Sequence, residues 1–232
     1  MLESKDKDNW LLNNIVPLHV IECLKRDGKY CRTHNDVGII FAKVCNFDNF
    51  YDESYQGGIE YLRVLNELIG DLEELFEDAR FNQIEKIKTI GCCLMAASGL
   101  NVQESAKTPG NQETPNRPDH LVALVDFCLA IFEKLRAFNA SMLNFEFNMT
   151  IGYNIGQVTS GVVGTSKMLF DIWGDAVNVA SRMYSTGVHG RVQLTEQCHL
   201  LLNDQFDFEF RGEVFVKGKG DMRTYLLVGR KN

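Results

Sequence analysis

Asn178 and Arg182 stand four residues apart in the segment DIWGDAVNVASRM, residues 171–183. Residues at i and i+4 of a helix project from one face, one turn apart. A guanidinium is a planar fork that matches phosphate oxygens, and an amide can hold a hydroxyl or a ring oxygen. Together they could position the sugar and the α-phosphate of a nucleotide. Spacing alone favours a plainer reading, in which Arg182 pairs with a neighbouring acid and Asn178 caps something. Asp175 or Gly174 would begin the helix, Asp being a good N-cap. Val177, Ala180 and Ser181 would line its packed face.

Three other places carry chemically useful groups. KGKG at 217–220 sets two lysines around glycine, which suits a strand-end loop that approaches phosphates closely. Most such runs are solvated turns. EKIKTIG at 85–91 puts Lys88 on an otherwise apolar strand, where a lysine is commonly an edge residue. Asp171 ends a strand just before the helix. It could accept from an exocyclic amine, or equally serve a turn.

The elements that would hold these groups follow from hydrophobic period. Residues 10–26 have helical spacing interrupted by Pro17, so the stable helix is expected to begin near it. Residues 37–46 read as a buried strand. A long helix opens after Gly57 and Gly58, and strands at 84–90 and 92–97 are separated by a turn at Gly91. Residues 101–118 are polar and hold three of the four prolines, which predicts an exposed loop. Then come a helix at 119–138, strands at 145–154, 157–163 and 167–172, and a helix at 175–186. A strand at 191–195, a short helix at 195–203 and strands at 206–216 and 222–229 complete the chain. No internal repeat or composition break divides it. A single α+β domain over 1–232, with its core at about 10–229, is expected. Its preferred arrangement is a ferredoxin-like βαββαβ core with extra strands and helices, one sheet covered on one face by helices.

Bulk properties narrow the function. The 232 residues are 45% hydrophobic, enough for a real core. No run approaches the roughly 18 apolar residues of a membrane span. The charged start, MLESKDKDNW, is not a signal peptide. A soluble domain, whole or cut from something larger, is expected. The net charge of −7 argues against a nucleic-acid partner, which needs a basic face, but not against a small anion. The seven cysteines are an odd count without zinc-site spacing, and read as reduced thiols of a cytosolic setting.

FDIWGDAVNVASRM, EKIKTIG, FVKGKGDMRTY and LLNNIVPLHV together resemble the class III nucleotidyl cyclases. The match is to the second cytoplasmic catalytic domain of membrane-bound animal adenylyl cyclases and runs from about residue 10 to 229. RVLNELIGD and IEKIKTIG lean toward the type 9 branch. The resemblance implies the class III cyclase fold and conversion of ATP to 3′,5′-cyclic AMP and pyrophosphate. It implies that Lys88 and Asp171 read the adenine edge, where the guanylyl branch usually has Glu and Cys. Asn178 would orient the ribose and Arg182 would stabilise charge at the α-phosphate. Lys217, in preference to Lys219, would hold the terminal phosphates. It also implies Mg²⁺ or Mn²⁺, two ions held by aspartates. The matching positions here are Lys43 and Cys92. An ammonium repels Mg²⁺ and a thiol suits it poorly, so no metal ligand is expected in this chain.

That absence implies a partner, the first cytoplasmic cyclase domain of the same parent protein, with the active site between the two domains and little activity without it. The rival expectation is a regulatory module that forms a homodimer and binds nucleotide or a G protein without chemistry. The resemblance further implies a stimulatory G-protein α subunit against the helix at 57–78 and the loop near 139–146, and a weak homodimer in isolation. It places this domain, itself soluble, on the cytoplasmic side of the plasma membrane in the parent protein. Forskolin stays open: Cys92 replaces the usual Ser, while Leu62 matches responsive members. Gln157, Ser160, Ile155 and Tyr184 depart from the common pattern, which bears on regulation.

Overall fold

The computed structural model describes residues 16–50, 59–101, 118–142, 145–164 and 168–231. Most of the loop expected at 101–118, the start of the helix expected after Gly57, and residues before 16 lie outside the described residues.

Helix α1, Leu18–Asp27, begins directly after Pro17, whose missing N–H costs nothing there. It ends at Gly28, whose φ of 70° lets its N–H close back on the Leu24 carbonyl. Strand β1, Cys31–Val44, leads to α2, Ile59–Glu73. Strands β2, Ile84–Ile90, and β3, Cys93–Ser98, form a hairpin around Gly91. Helix α3, Asp119–Ser141, precedes β4, Met149–Val163. The order β1-α2-β2-β3-α3-β4 is the expected βαββαβ unit. After it come β5, Leu169–Trp173, and α4, Asp175–Ser185. Then follow β6, Val192–Thr195, α5, Glu196–Leu202, β7, Phe206–Val216, and β8, Gly220–Arg230. The sheet runs β2-β3-β1-β4-β6-β8-β7, and β5 pairs with β4.

Helices cover both faces of the sheet, not one. Leu68 and Leu72 of α2, nine apolar residues of α3 from Leu121 to Phe138, and Cys198 and Leu202 of α5 share one core with Ile40, Leu94 and Ile151. On the other face Val20 and Ile21 of α1 and Ala176 and Ala180 of α4 pack with Ile39, Phe41 and Met95.

β1 and β4 form a long antiparallel ribbon, broken by a bulge between His34 and Val37. Asp36, within that bulge, has a φ of 54°. A bulge bends a ribbon and increases its twist. The outer part of this ribbon turns over the second face. Tyr30, Val158, Phe170 and Ile172 join Ile87 and Met95 in one core. This bend is what brings β5 against β2.

Candidate active site

Lys88 lies on β2 and Asp171 on β5, 83 residues later, and their side chains meet at 2.5 Å. Asp171 is buried; its second oxygen accepts from the Ile172 N–H at 2.9 Å. The carboxylate is therefore aimed, with one oxygen fixed to the backbone and the other toward the ammonium. A charge-assisted pair of this kind leaves both groups able to face a planar ligand that offers one acceptor and one donor.

Three residues after Asp171, Gly174 turns the chain and α4 begins. Its φ of 154° needs glycine, and an added Cβ would meet the Gln157 carbonyl oxygen at 2.9 Å. The stripe Ala176, Val179, Ala180 and Met183 is buried at i, i+3, i+4 and i+7. Val177 and Ser181, expected to line the packed face, are only half-buried. Asn178 and Arg182 lie on the opposite, exposed face. Among the described residues neither has an ion-pair partner, so the plainer reading of Arg182 as half of a salt bridge does not hold there. Arg182 sits in the last turn, where the helix dipole favours a cation.

Close approach of α4 to β4 fixes this face. A Cβ at Gly152 would lie 2.1 Å from the Tyr184 nitrogen, and one at Gly156 would lie 2.7 Å from the Ala176 methyl. Val179 and Met183 also pack on Val216, at the end of β7. The turn 217–219 follows at once, with Gly218 and Gly220 both at positive φ. Lys219 is engaged with Asp175 at 2.5 Å. Lys217 is exposed and has no ion-pair partner among the described residues. Among the described residues, Lys217 is thus the one of the two lysines whose ammonium is not engaged by an acid. A groove of about 820 Å³ runs past the start of α4, between Gln157, Trp173, Asp175 and Lys219. It takes in none of Lys88, Asp171, Asn178, Arg182 or Lys217. Asn178, Arg182 and Lys217 are exposed, Lys88 is half-buried and Asp171 is buried.

The sequence pattern of the adenylate and guanylate cyclase catalytic domain matches residues 29–229. The chain belongs to that family. It is 48% identical over 222 residues to adenylate cyclase type 9 of Xenopus laevis, covering 95% of this chain and 17% of that protein. The chain thus spans about a sixth of that relative's length. Among solved structures it is similar to the guanylate cyclase domain of RhGC from Catenaria anguillulae in complex with GTP. There the TM-score is 0.70 at 28% identity, over 86% of this chain and 100% of that one. It is also similar to the catalytic core of a rhodopsin-guanylyl cyclase with converted specificity in complex with ATPαS. That match has a TM-score of 0.69 and 28% identity, over 87% and 100% of the two chains.

Cyclases of this family generally use Mg²⁺ or Mn²⁺. Lys43 and Cys92 are close together here: Lys43 pairs with Cys93 and Thr150 across β1, and the Cys92 thiol donates to the Val44 carbonyl at 3.2 Å. Burial pushes the Cys92 thiol up from its ordinary value, so it stays protonated at neutral pH. An ammonium beside a neutral thiol does not fit a hard divalent ion that takes oxygen ligands. Among the described residues no group of three or more His, Cys, Asp or Glu could hold a metal ion.

The departures from the family pattern have structural partners. Gln157 donates to Asn35 Oδ1 at 2.8 Å, beside the β1 bulge. Ser160 is fully buried and meets His34 Nε2 at 2.8 Å and the Tyr30 hydroxyl at 3.3 Å. Ile155 is core, and Tyr184 lies against Phe41 with ring centroids 5.4 Å apart. Sequence reasoning missed Gly152, Tyr30 and Glu85. Glu85 is half-buried on β2, facing His19 Nδ1 at 3.6 Å, and desolvation raises its pKa to about 7.

Proposed function

We propose that this chain is the nucleotide-reading half of an adenylyl cyclase. The observation that carries the reading is the Lys88–Asp171 pair, set just before a helix whose free face bears Asn178 and Arg182. Lys88 donates to an acceptor nitrogen of the purine ring, and Asp171 accepts from the exocyclic amine. Adenine offers that polarity; guanine offers the reverse. Asn178 orients the ribose. Its 3′ oxygen loses a proton and attacks the α-phosphorus as the bond to pyrophosphate breaks, giving 3′,5′-cyclic AMP. Arg182 holds the negative charge that grows on the α-phosphate oxygens, and Lys217 holds the departing terminal phosphates. Positioning and charge stabilisation carry most of the catalysis in such transfers.

The metal aspartates come from a partner cyclase domain, the first cytoplasmic domain of the parent protein, because Lys43 and Cys92 cannot serve. In the parent protein this domain lies on the cytoplasmic side of the plasma membrane; no helix among the described residues is long and apolar enough to cross a membrane. The exposed Ile59 and Leu62 of α2 support docking of a stimulatory G-protein α subunit there. The test is Arg182→Ala in a complex with an aspartate-bearing cyclase domain. Cyclic AMP turnover falls about 100-fold or more with folding intact; turnover near that of the wild type sinks the role. A second reading, a homodimeric regulatory module that binds nucleotide without turning it over, is favoured by Lys43 and Cys92. It predicts no activity in any associated complex.

A further inference from the structure

This inference rests on the reading of Lys88 and Asp171 as the base-recognising pair. The two side chains come from β2 and β5, which are not sheet neighbours. Something must hold those strands at the separation that lets both groups reach one base edge.

Tyr30 lies between them. Its ring centroid is 6.2 Å from that of Phe170, the residue before Asp171. On its other side it is 5.9 Å from His19, in edge contact. His19 faces Glu85 of β2, three residues before Lys88. One ring thus touches the acceptor strand directly and the donor strand through one side chain. Tyr30 is only 3% exposed, and its carbonyl accepts from the Val162 N–H at 3.2 Å. The hydroxyl is gripped by Ser160, which His34 holds in turn. Ser160 is paired with Ile172 and Gly161 with Asp171, so the grip is adjacent to the carboxylate's own place in the sheet. Among the described residues His19 Nε2 and Glu85 Oε2 are buried without hydrogen-bond partners, which leaves their one mutual contact and packing on the ring to hold this layer.

We propose that Tyr30 is a positioning residue for purine recognition: its ring sets the spacing of Lys88 and Asp171, and the Ser160–His34 pair fixes the ring's orientation. An aromatic ring suits this because it spans a fixed width with few torsions to order. Tyr30 touches no substrate. Its influence falls on how the base is held, not on the reacting atoms.

The test uses the chain in complex with an aspartate-bearing cyclase domain, with ATP and GTP as substrates. Tyr30→Leu keeps buried apolar volume and loses the ring. It raises KM for ATP about tenfold and narrows the preference for ATP over GTP by a similar factor, with kcat within about twofold. Tyr30→Phe keeps the ring and restores most of the affinity. A merely structural role would lower the active fraction, and so kcat, while leaving KM and purine preference alone; that result overturns the proposal. Should Tyr30→Leu fail to fold, Ser160→Ala decides. Removing that hydroxyl raises KM about fivefold, the factor one hydrogen bond is worth, and an unchanged KM overturns the proposal. Lys88→Ala separates the two levels. If it leaves KM and purine preference unchanged, the base-reading assignment itself fails. If it changes them while Tyr30→Leu does not, only the role of Tyr30 fails.

Discussion

Gly152→Ala is the sharpest structural perturbation of the site that touches none of its functional groups. An alanine Cβ there would sit 2.1 Å from the Tyr184 nitrogen, 2.5 Å from the Ala180 oxygen and 2.7 Å from the Met183 carbonyl carbon. All three are backbone atoms of α4, so no side chain can swing aside. Against ordinary van der Waals contact beginning at 3.4 Å, the shortfall at Tyr184 is about 1.3 Å. Part of it can be taken up by bending β4, but most must appear as outward movement of α4. Asn178 and Arg182 ride on that helix, and a displacement of about 1 Å costs on the order of 100-fold in rate when groups must meet a reacting centre. Overpacking of this kind costs about 1–3 kcal/mol of stability, which lowers the melting temperature without unfolding the chain. The assay is cyclic AMP production in complex with an aspartate-bearing domain, with melting temperature measured in parallel. Gly229→Ala on β8 is the control, since an added Cβ there meets nothing within 4 Å. Wild-type turnover in Gly152→Ala, with the protein folded, would refute the argument that close packing on β4 sets the position of α4.

Other outcomes follow from single observations. Glu85 has its pKa raised from 4.5 to about 7 by burial, so the folded state holds the proton more tightly than the unfolded state. Its contribution to stability is therefore greatest below about pH 4.5, declines as pH rises toward 7 and is flat above. Glu85→Gln should raise the melting temperature at pH 8, by the equivalent of at most about 3 kcal/mol, and do little at pH 4.5; an equal effect at both pH values would count against this. Lys217→Ala should raise KM for ATP about tenfold, whereas Lys219→Ala, whose ammonium is engaged with Asp175, should change it less. The reverse order, read from steady-state kinetics, would exchange the two assignments. Gly70→Ala, within α2 and with nothing in the way of a Cβ, should stabilise the chain by about 0.5–1 kcal/mol in denaturant titration; destabilisation would show that α2 needs glycine there.

Much of the candidate site could be proposed from the sequence because its signals are local. The i, i+4 spacing of Asn178 and Arg182, and the N-terminal Asp175, define a helix face within eleven residues. The βαββαβ order was legible because each element has at least one stretch of clean hydrophobic period. Other features depend on contacts that a linear reading does not contain. The first half of β1 is exposed and polar, so Cys31–Asp36 carried no strand signal, although it supplies the bulge that folds β5 onto β2. Separate strands were expected at 145–154 and 157–163, with Gly156 falling between them. In fact β4 is continuous there, and glycine is needed because the Ala176 methyl presses on the strand. The hydrophobic period showed α1 and α4 as helices but not that they cover the second face of the sheet, which depends on their contacts with Ile39, Phe41 and Met95. Nothing in the local sequence singles out Glu85. Its burial comes from α1, 66 residues earlier at His19. Val177 and Ser181 were placed on the packed face because the true stripe, rotated by one residue, also begins with small apolar groups.

The most direct measurement is cyclic AMP production from ATP, with Mg²⁺ or Mn²⁺, by the purified chain alone and then mixed with a cyclase domain that carries both metal aspartates. Silence alone and turnover on mixing is the predicted result. Turnover by the chain alone would contradict the account, because Lys43 and Cys92 would then not be what keeps the metal ions out. Silence in a mixture shown by sedimentation to associate would contradict it too, and would leave the regulatory module as the reading that stands.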